Sequence, residues 1–257
     1  MSIKPLLIFD FDGVIIDGLV EYWNSAQKAY FQIVKQIDEL NVNQEVPNSF
    51  RVLRPWVKNG WEMVILAGEI LDPESSLNTL GSKIFAQDYT KNCTQALIKN
   101  SWSPEQLQKA LDNVRKQAIN DNPHEWLASH KEFPFVVQRL KQLHNEDTDF
   151  GVLTTKSAEF TSSLLNHLHI YPTLLYGHES GEKAEILYEI VKTRPVAGFI
   201  EDRRSTLETI INTPGLESID CYLATWGYLK PADMSNLPSK IHLLEKKQLM
   251  SPLANWT

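Results

Sequence analysis

The sequence predicts an α/β protein in which an all-helical domain is inserted into a doubly wound parallel sheet. Two observations support this prediction. Short, mostly apolar runs typical of buried parallel strands alternate with segments of helical periodicity. Between the first and the second of these runs, residues 18–131 show helical periodicity and almost no strand-like run. The first pattern indicates βαβ units, and the second indicates a separate helical module.

The candidate strands share a short run of mainly apolar residues. They are Leu6–Phe9, Phe150–Leu153, Val196–Ile200 and Ile219–Leu223, with a weaker candidate at Leu174–Tyr176. Three of the runs lead directly into polar or acidic residues, namely Asp10, Thr154 and the pair Glu201-Asp202. In doubly wound sheets the chemistry lies at the carboxyl ends of the strands, so these residues are the first candidates for a functional site.

The domain boundaries follow from the same patterns. We expect an α/β core of residues 1–17 plus 132–257 and a helical domain of residues 18–131. Within the helical domain, Ser103 followed by Pro104 predicts a helix start, because Ser is a favoured N-cap and Pro a favoured first residue. The segment after Trp226, which contains three prolines, is expected to be irregular.

Composition narrows the function classes. The 257 residues are 42% hydrophobic and 22% charged, with a net charge of -7, as in an ordinary soluble globular protein. Since Lys and Arg form no basic cluster, we expect no nucleic-acid partner. Since no apolar stretch approaches the roughly 20 residues of a membrane span, we expect no membrane partner. The two cysteines do not indicate a secreted disulfide scaffold. We expect a cytoplasmic monomer or homodimer.

Asp10 and Asp12 are the most informative pair. They lie where the first predicted strand ends, and Gly13 indicates a turn directly after them. Two carboxylates at a strand tip can share a divalent cation and still perform different tasks. Acid-Gly sequences are also common in ordinary turns. The apolar residues on both sides of the pair favour the functional interpretation, because ordinary turns are seldom flanked in this way.

Four ordered motifs resemble those of the haloacid dehalogenase (HAD) superfamily. The first is an apolar strand followed by Asp-x-Asp-Gly, here Leu6–Asp17. The second is a strand ending in Thr, here Val152-Leu153-Thr154-Thr155, and the third is a Lys that opens a helix, here Lys183. The fourth is a strand ending in acids, here Gly198–Asp202. Together the motifs, with the later Ala224–Tyr228 turn, cover residues 6–228.

The resemblance implies a chemistry for the acids. Asp10 would be a nucleophile that briefly carries a phosphoryl group. Asp12 would protonate the leaving alkoxide oxygen and later accept a proton from the attacking water. A Mg²⁺ ion would be held by Asp10, the backbone carbonyl of Asp12 and Asp202, with Glu201 beside them. The implied activity is hydrolysis of a small phosphorylated metabolite.

The resemblance also implies ligands for the phosphoryl oxygens. Thr154 would offer a hydroxyl group and Lys183 a positive charge. Two alternatives stay open from the residues alone. Thr155 is a second candidate beside Thr154 and a candidate substrate ligand, and Lys192 is the nearest rival of Lys183.

Some residues depart from the phosphatase pattern. Val14 follows the motif-one Gly where phosphatases often have Thr, and Glu201 stands where many members have Gly. Both features also occur in sugar phosphomutases of the β-phosphoglucomutase type. Those mutases carry a His in the first helix of the insertion, where this chain has Tyr22, which favours phosphatase. A HAD scaffold used only for binding or regulation is a third hypothesis. The presence of both Asp10 and Asp12 argues against it, because loss of either acid would have suggested a scaffold without turnover.

The helical insertion resembles the cap found between motifs one and two in the superfamily. A cap excludes water and selects the substrate. Arg51 and Arg54 are cap residues that could grip an anionic substrate, although they could equally form a solvated helix face. Phosphoglycolate, a sugar phosphate and a nucleoside monophosphate all remain possible substrates.

Overall fold

The computed structural model describes residues 4–35 and 45–256. The chain divides into two compact units, one of Met1–Asp17 with Lys131–Thr257 and one of Gly18–His130. The chain returns to the first unit at Lys131, one residue earlier than the sequence suggested. Lys131 belongs to the first unit because it pairs with Asp17 in a short antiparallel ribbon.

The first unit is built on a six-stranded sheet in which every neighbouring pair is parallel. Its strands are β1 (Leu6–Phe9), β4 (Asp149–Leu153), β5 (Leu174–Tyr176), β6 (Val196–Glu201), β7 (Asp220–Ala224) and β8 (Ile241–Leu244). The ribbon consists of β2 (Ile16–Asp17) and β3 (Lys131–Glu132). The sheet order is β5-β4-β1-β6-β7-β8. The chain therefore builds outward from β1 on one side and then returns to the other, as in a doubly wound sheet, and a crevice is expected at the carboxyl ends of β1 and its two neighbours.

The central strands owe their place to uninterrupted apolar sequence. All four residues of β1 are buried, and β6 is buried apart from Ala197. On one face of the sheet, side chains such as Leu6, Ile8 and Phe199 join a core with the helices that follow β5 and β6. Each large apolar side chain buried in this way contributes roughly 1.5–3 kcal/mol.

The C-terminal segment is irregular over most of its length, as predicted, but not throughout. It contains β8 and a short helix, α13 (Lys246–Leu249). In β8 only Ile241 and Leu244 are buried, while His242 and Leu243 between them are exposed. An edge strand of this kind has neither the continuous apolar run of a central strand nor strict alternation, so its sequence carries little strand signal.

The other helices of the first unit connect the strands. They are α9 (Pro134–Gln142), α10 (Ala158–His167), α11 (Lys183–Val191) and α12 (Arg204–Ile211). These four helices alternate with the strands, as the sequence pattern predicts. In the second unit the helices are α1 (Leu19–Val34), α2 (Asn48–Leu53), α3 (Gly60–Leu71), α4 (Ser76–Leu80), α5 (Ser82–Gln87), α6 (Tyr89–Asn100), α7 (Pro104–Asp121) and α8 (Pro123–Ala128).

Helices are the regular secondary structure of the second unit, and its described residues, 18–35 and 45–130, contain no strand. Ser103 caps α7 as expected, since its side chain accepts a hydrogen bond from the backbone N–H of Gln106. A buried ion pair crosses its interior, where Arg115 of α7 donates two hydrogen bonds of 2.8 Å to the carboxylate of Glu21 on α1. None of the described helices of the protein combines the length and apolar composition that a bilayer crossing requires.

Candidate active site

Asp10 lies directly after β1, at the carboxyl edge of the sheet. Its backbone N–H donates to the carbonyl of Ile200 at 2.8 Å, directly beyond the last paired residues of β1 and β6. The side chain is only 8% exposed. Gly13, with a φ of +89°, then turns the chain, and its N–H donates to the carbonyl of Ile16 at 2.7 Å. The turn keeps Asp12 at the same edge of the sheet as Asp10.

Glu201 and Asp202 reach the same edge from β6. Both side chains are buried. Together with Asp10 they form a cluster in which one carboxylate oxygen from each residue lies within 4.8 Å of the others. These oxygens are the hard ligands that Mg²⁺ and Ca²⁺ prefer.

Lys183 joins this cluster from the first turn of α11. Its Nζ donates to Asp10 Oδ1 at 2.6 Å and to Glu201 Oε2 at 2.7 Å. Lys192 instead pairs with Glu189 on an exposed helix surface. Of the two lysines that the sequence left open, the structure brings Lys183 to the acids.

The charges in this cluster alter one another's proton affinity. Burial, reinforced by the charge of Glu201, raises the pKa of Asp10 to about 7, although Lys183 opposes the change. Burial alone would also raise the pKa of Glu201, but Lys183 outweighs it and holds that pKa below its usual range. For Lys183, burial lowers the pKa, and the two carboxylates more than reverse this. Three carboxylates face one ammonium group, so the cluster holds excess negative charge that suits a divalent cation.

Thr154 lies at the end of β4, beside β1. It is buried, its N–H donates to the carbonyl of Tyr176 at 3.0 Å, and its Oγ1 accepts a hydrogen bond from the N–H of Lys156 at 3.1 Å. Thr155 is exposed. The burial and fixed hydroxyl of Thr154 make it the better placed of the two, while a substrate contact by Thr155 stays a prediction.

Lys156 also lies at this edge of the sheet, although no sequence pattern predicts it there. Its side chain is buried, and its Nζ lies 3.5 Å from Asp12 Oδ1. A second cation therefore stands at the proposed proton-transfer acid. The signal available in the sequence was a Lys two positions after Thr154, which by itself does not distinguish a buried site residue from a solvated one.

The loop after β7 was also missed as part of the site. The backbone N–H of Tyr228 donates to Asp202 Oδ2 at 2.7 Å, and the indole N–H of Trp226 donates to the carbonyl of Val14 at 3.0 Å. The turn at Ala224–Tyr228 was recognised in the sequence only as a likeness to a family segment. Its contacts with two other motifs could not be read from spacing.

Arg51 and Arg54 belong to the helical unit. Arg51 is exposed on α2. Arg54 is half-buried, and its guanidinium group lies over the ring of Tyr22, 5.0 Å from the ring centre. Tyr22 itself is buried in α1. Contact of either arginine with a substrate stays a prediction.

Gly13→Ala will destabilise its unit more than Gly81→Ala destabilises the helical unit. Both glycines have positive φ, +89° and +84°, so both alanines carry a backbone penalty of about 1–3 kcal/mol. A Cβ at Gly13 would also lie 2.0 Å from Asp202 Oδ2, whereas a Cβ at Gly81 meets nothing within 4 Å. We expect the clash to cost about 1–3 kcal/mol more in urea unfolding. Equal losses for the two variants would contradict the close packing of Asp202 on Gly13.

Comparison with known proteins gives a consistent architecture. No protein-family model and no curated protein matches the sequence. Among solved structures, a predicted phosphatase from Clostridium acetobutylicum is similar, with a TM-score of 0.61 and 15% identity over 97% of each chain. A haloacid dehalogenase-like hydrolase from Streptococcus pneumoniae has a TM-score of 0.54 at 16% identity, covering 97% of this chain and 98% of the other. A protein assigned as a β-phosphoglucomutase from Thermotoga maritima has a TM-score of 0.53 at 14% identity over 96% of each chain.

These neighbours span nearly the whole chain, including both units. The expectation drawn from four short motifs is thereby confirmed at the level of the fold. With its six-stranded parallel sheet and helical insertion, the chain has the fold of the haloacid dehalogenase-like hydrolases.

Proposed function

We propose that the protein is a Mg²⁺-dependent phosphatase that hydrolyses a small phosphomonoester through a phosphorylated Asp10. The observation that supports this most directly is the arrangement of Asp10. Its carboxylate is buried and accepts a hydrogen bond of 2.6 Å from Lys183. A carboxylate oxygen of Asp202 lies within 4.8 Å, so one metal ion could bind both residues. A carboxylate needs such cations nearby before it can attack an anionic phosphate ester.

The donor set suits a hard divalent cation. Asp10 and Asp202 would hold Mg²⁺ together with the backbone carbonyl of Asp12, and the ion would offset the negative charge of the phosphate. Glu201 has a different task. Its Oε1 accepts hydrogen bonds from the N–H groups of Asp202 and Arg203, and its Oε2 accepts one from Lys183. With both oxygens engaged, Glu201 orients Lys183 and supports the ligand set instead of binding the metal directly.

The first half of the reaction uses Asp10 and Asp12. A carboxylate oxygen of Asp10 forms a bond to phosphorus while the bond from phosphorus to the leaving oxygen breaks. Asp12, in its acid form, gives its proton to that oxygen, so the substrate departs as an alcohol. Asp12 is then a carboxylate and Asp10 carries the phosphoryl group.

The second half returns both groups to their starting state. A water molecule attacks the phosphorus of the aspartyl phosphate, and Asp12 accepts the proton that the water loses. The bond between phosphorus and Asp10 breaks, and inorganic phosphate leaves. The ammonium group of Lys183 has three N–H donors, of which two bind Asp10 and Glu201, so the third is suited to a phosphoryl oxygen. The hydroxyl of Thr154 is suited to another.

A phosphate-release screen tests this proposal. The purified protein is incubated with a panel of phosphoglycolate, sugar phosphates and nucleoside monophosphates, with and without Mg²⁺. We expect Mg²⁺-dependent release from at least one member. Isomerisation of a hexose 1-phosphate without net release would instead establish the mutase alternative, which the Glu201-Asp202 pair also fits. Mg²⁺ binding without turnover of any compound would favour a regulatory scaffold.

Mg²⁺ binding will strengthen with pH. The pKa of Asp10 is raised from 3.8 to about 7, so the folded protein holds a proton there that the unfolded chain has released. The metal-free protein should therefore lose stability as pH rises across that interval. Below pH 7 the metal must displace this proton, and its Kd should weaken by about tenfold per pH unit.

The measurement is the rise in Tm produced by Mg²⁺ at about pH 5.5 and about pH 8. We expect the larger rise at the higher pH. Asp10→Asn carries no titrating proton at this position and serves as the control, so any metal binding that it retains should show little of this dependence. An equal rise in Tm at the two pH values for the wild-type protein would contradict the assignment of Asp10 as a ligand.

A further inference from the structure

The loop Trp226–Tyr228, which follows β7, makes direct contact with two other parts of the site. Gly227 packs so closely that a Cβ there would lie 2.3 Å from Asp202 Cβ and 2.7 Å from the carbonyl oxygen of Gly13. The N–H of Tyr228 donates to Asp202 Oδ2 at 2.7 Å. The loop therefore contacts both the acid that follows β6 and the turn that follows β1.

The side chain of Tyr228 extends this contact along the turn. Its hydroxyl donates to Asp17 Oδ1 at 2.8 Å, and its Cδ2 would lie 2.8 Å from a Cβ at Gly13. Trp226 binds the carbonyl of Val14 with its indole N–H. Residues 13–17 are thus held at three points by the loop whose backbone also holds Asp202.

Pairing between β1 and β6 does not extend to residues 13–17 and Asp202. The register between β1 and β6 ends at Phe9 and Ile200, and the N–H of Asp10 donates one more hydrogen bond, to the carbonyl of Ile200. Beyond that point Asp202 packs on Gly13, and the loop contacts both residues. The separation between the Asp202 carboxylate and the Asp10–Asp12 turn is consequently sensitive to how the loop is held.

We propose that Tyr228 is a positioning residue of the metal site, an inference that rests on the proposed function. Through its backbone it orients the carboxylate of Asp202, and through its hydroxyl it anchors the turn that carries Asp10 and Asp12. Groups that orient metal ligands in this way commonly change metal affinity by 10–100-fold when removed.

Tyr228→Phe tests the proposal, because it removes only the hydroxyl that binds Asp17. Tyr222→Phe is the matched control, since the Tyr222 hydroxyl also donates a single hydrogen bond, to the carbonyl of Trp256 at 3.0 Å. Mg²⁺ affinity is measured by titration calorimetry on metal-free protein, and Tm is recorded without metal. We expect the Kd for Mg²⁺ to rise about tenfold in Tyr228→Phe and to stay unchanged in Tyr222→Phe.

A double-variant cycle adds a second readout. Asp17→Ala removes the acceptor of the same hydrogen bond, so combining it with Tyr228→Phe should weaken Mg²⁺ binding no further than the stronger single change. Additive losses would overturn the proposal, as would wild-type affinity in Tyr228→Phe or an equal loss in Tyr222→Phe. Where wild-type protein binds Mg²⁺ in each of these cases, the proposed function stands and only the role of Tyr228 is wrong. Absence of Mg²⁺ binding by the wild-type protein would overturn both.

Discussion

Asp10→Asn will reduce phosphate release by about four orders of magnitude or more, the scale seen when a covalent nucleophile is removed. The amide has nearly the shape of the carboxylate but cannot form a stable acyl phosphate. The pKa of the Asp10 carboxyl group is raised to about 7, so above that pH the wild-type protein carries a buried charge that the variant lacks. The metal-free variant should therefore be no less stable than wild type above pH 7. The measurement is phosphate release with the best substrate of the screen, alongside Tm at about pH 8.

Asp220→Asn is the control for this change. Asp220 is exposed at the amino end of β7, on the opposite edge of the same sheet. It should keep wild-type activity. Phosphate release by Asp10→Asn within tenfold of wild type would exclude Asp10 as the nucleophile, whatever its effect on stability.

Lys183→Met will destabilise the metal-free protein by about 3–5 kcal/mol, the usual cost of removing one partner from a buried ion pair. The reason is that Asp10 and Glu201 would then lie buried beside Asp202 without a neighbouring ammonium group. The loss should be largest above pH 7, where Asp10 is ionised, and smaller at low pH, where it takes up a proton. Mg²⁺ should recover part of the stability while activity stays low.

Lys192→Met is the matched control, because it removes the same type of residue from the same helical region. Its partner Glu189 is exposed, so the change should fall within about 0.5 kcal/mol. Urea unfolding of the two variants at about pH 6 and about pH 8 provides the comparison. Equal stability of the two variants would mean that Lys183 is not what balances the charge of the acids.

The acids and the lysine that the structure brings together could be located from the sequence because each belongs to a local pattern. Asp10 and the Glu201-Asp202 pair follow continuous apolar runs, and parallel strands bring their carboxyl ends to one edge. Lys183 is the first residue of a helix, and it follows Thr154 in the motif order of the superfamily that the sequence resembles. The fold followed from the same patterns, apart from β8, whose exposed central residues remove the apolar run on which strand prediction depends.

The remaining features depend on contacts between distant segments. The approach of Lys156 to Asp12 and of Tyr228 to Asp17 joins residues far apart in the chain, and neither pair leaves a periodic trace. The hydrogen bonds that both carboxylate oxygens of Glu201 accept are likewise not visible in the sequence. As a residue type it is as good a metal ligand as Asp202, and only its hydrogen bonds to Lys183 and to two backbone N–H groups indicate another task.

The ribbon of β2 and β3 has a consequence for how such proteins diversify. Asp17 and Lys131 are paired residues of an antiparallel ladder, so the helical unit leaves and rejoins the sheet-bearing unit at neighbouring Cα positions about 5 Å apart. Two antiparallel strands in this relation can be closed by a two-residue turn. We therefore expect that a shorter connection could replace the helical unit and that the strand order β5-β4-β1-β6-β7-β8 would be kept.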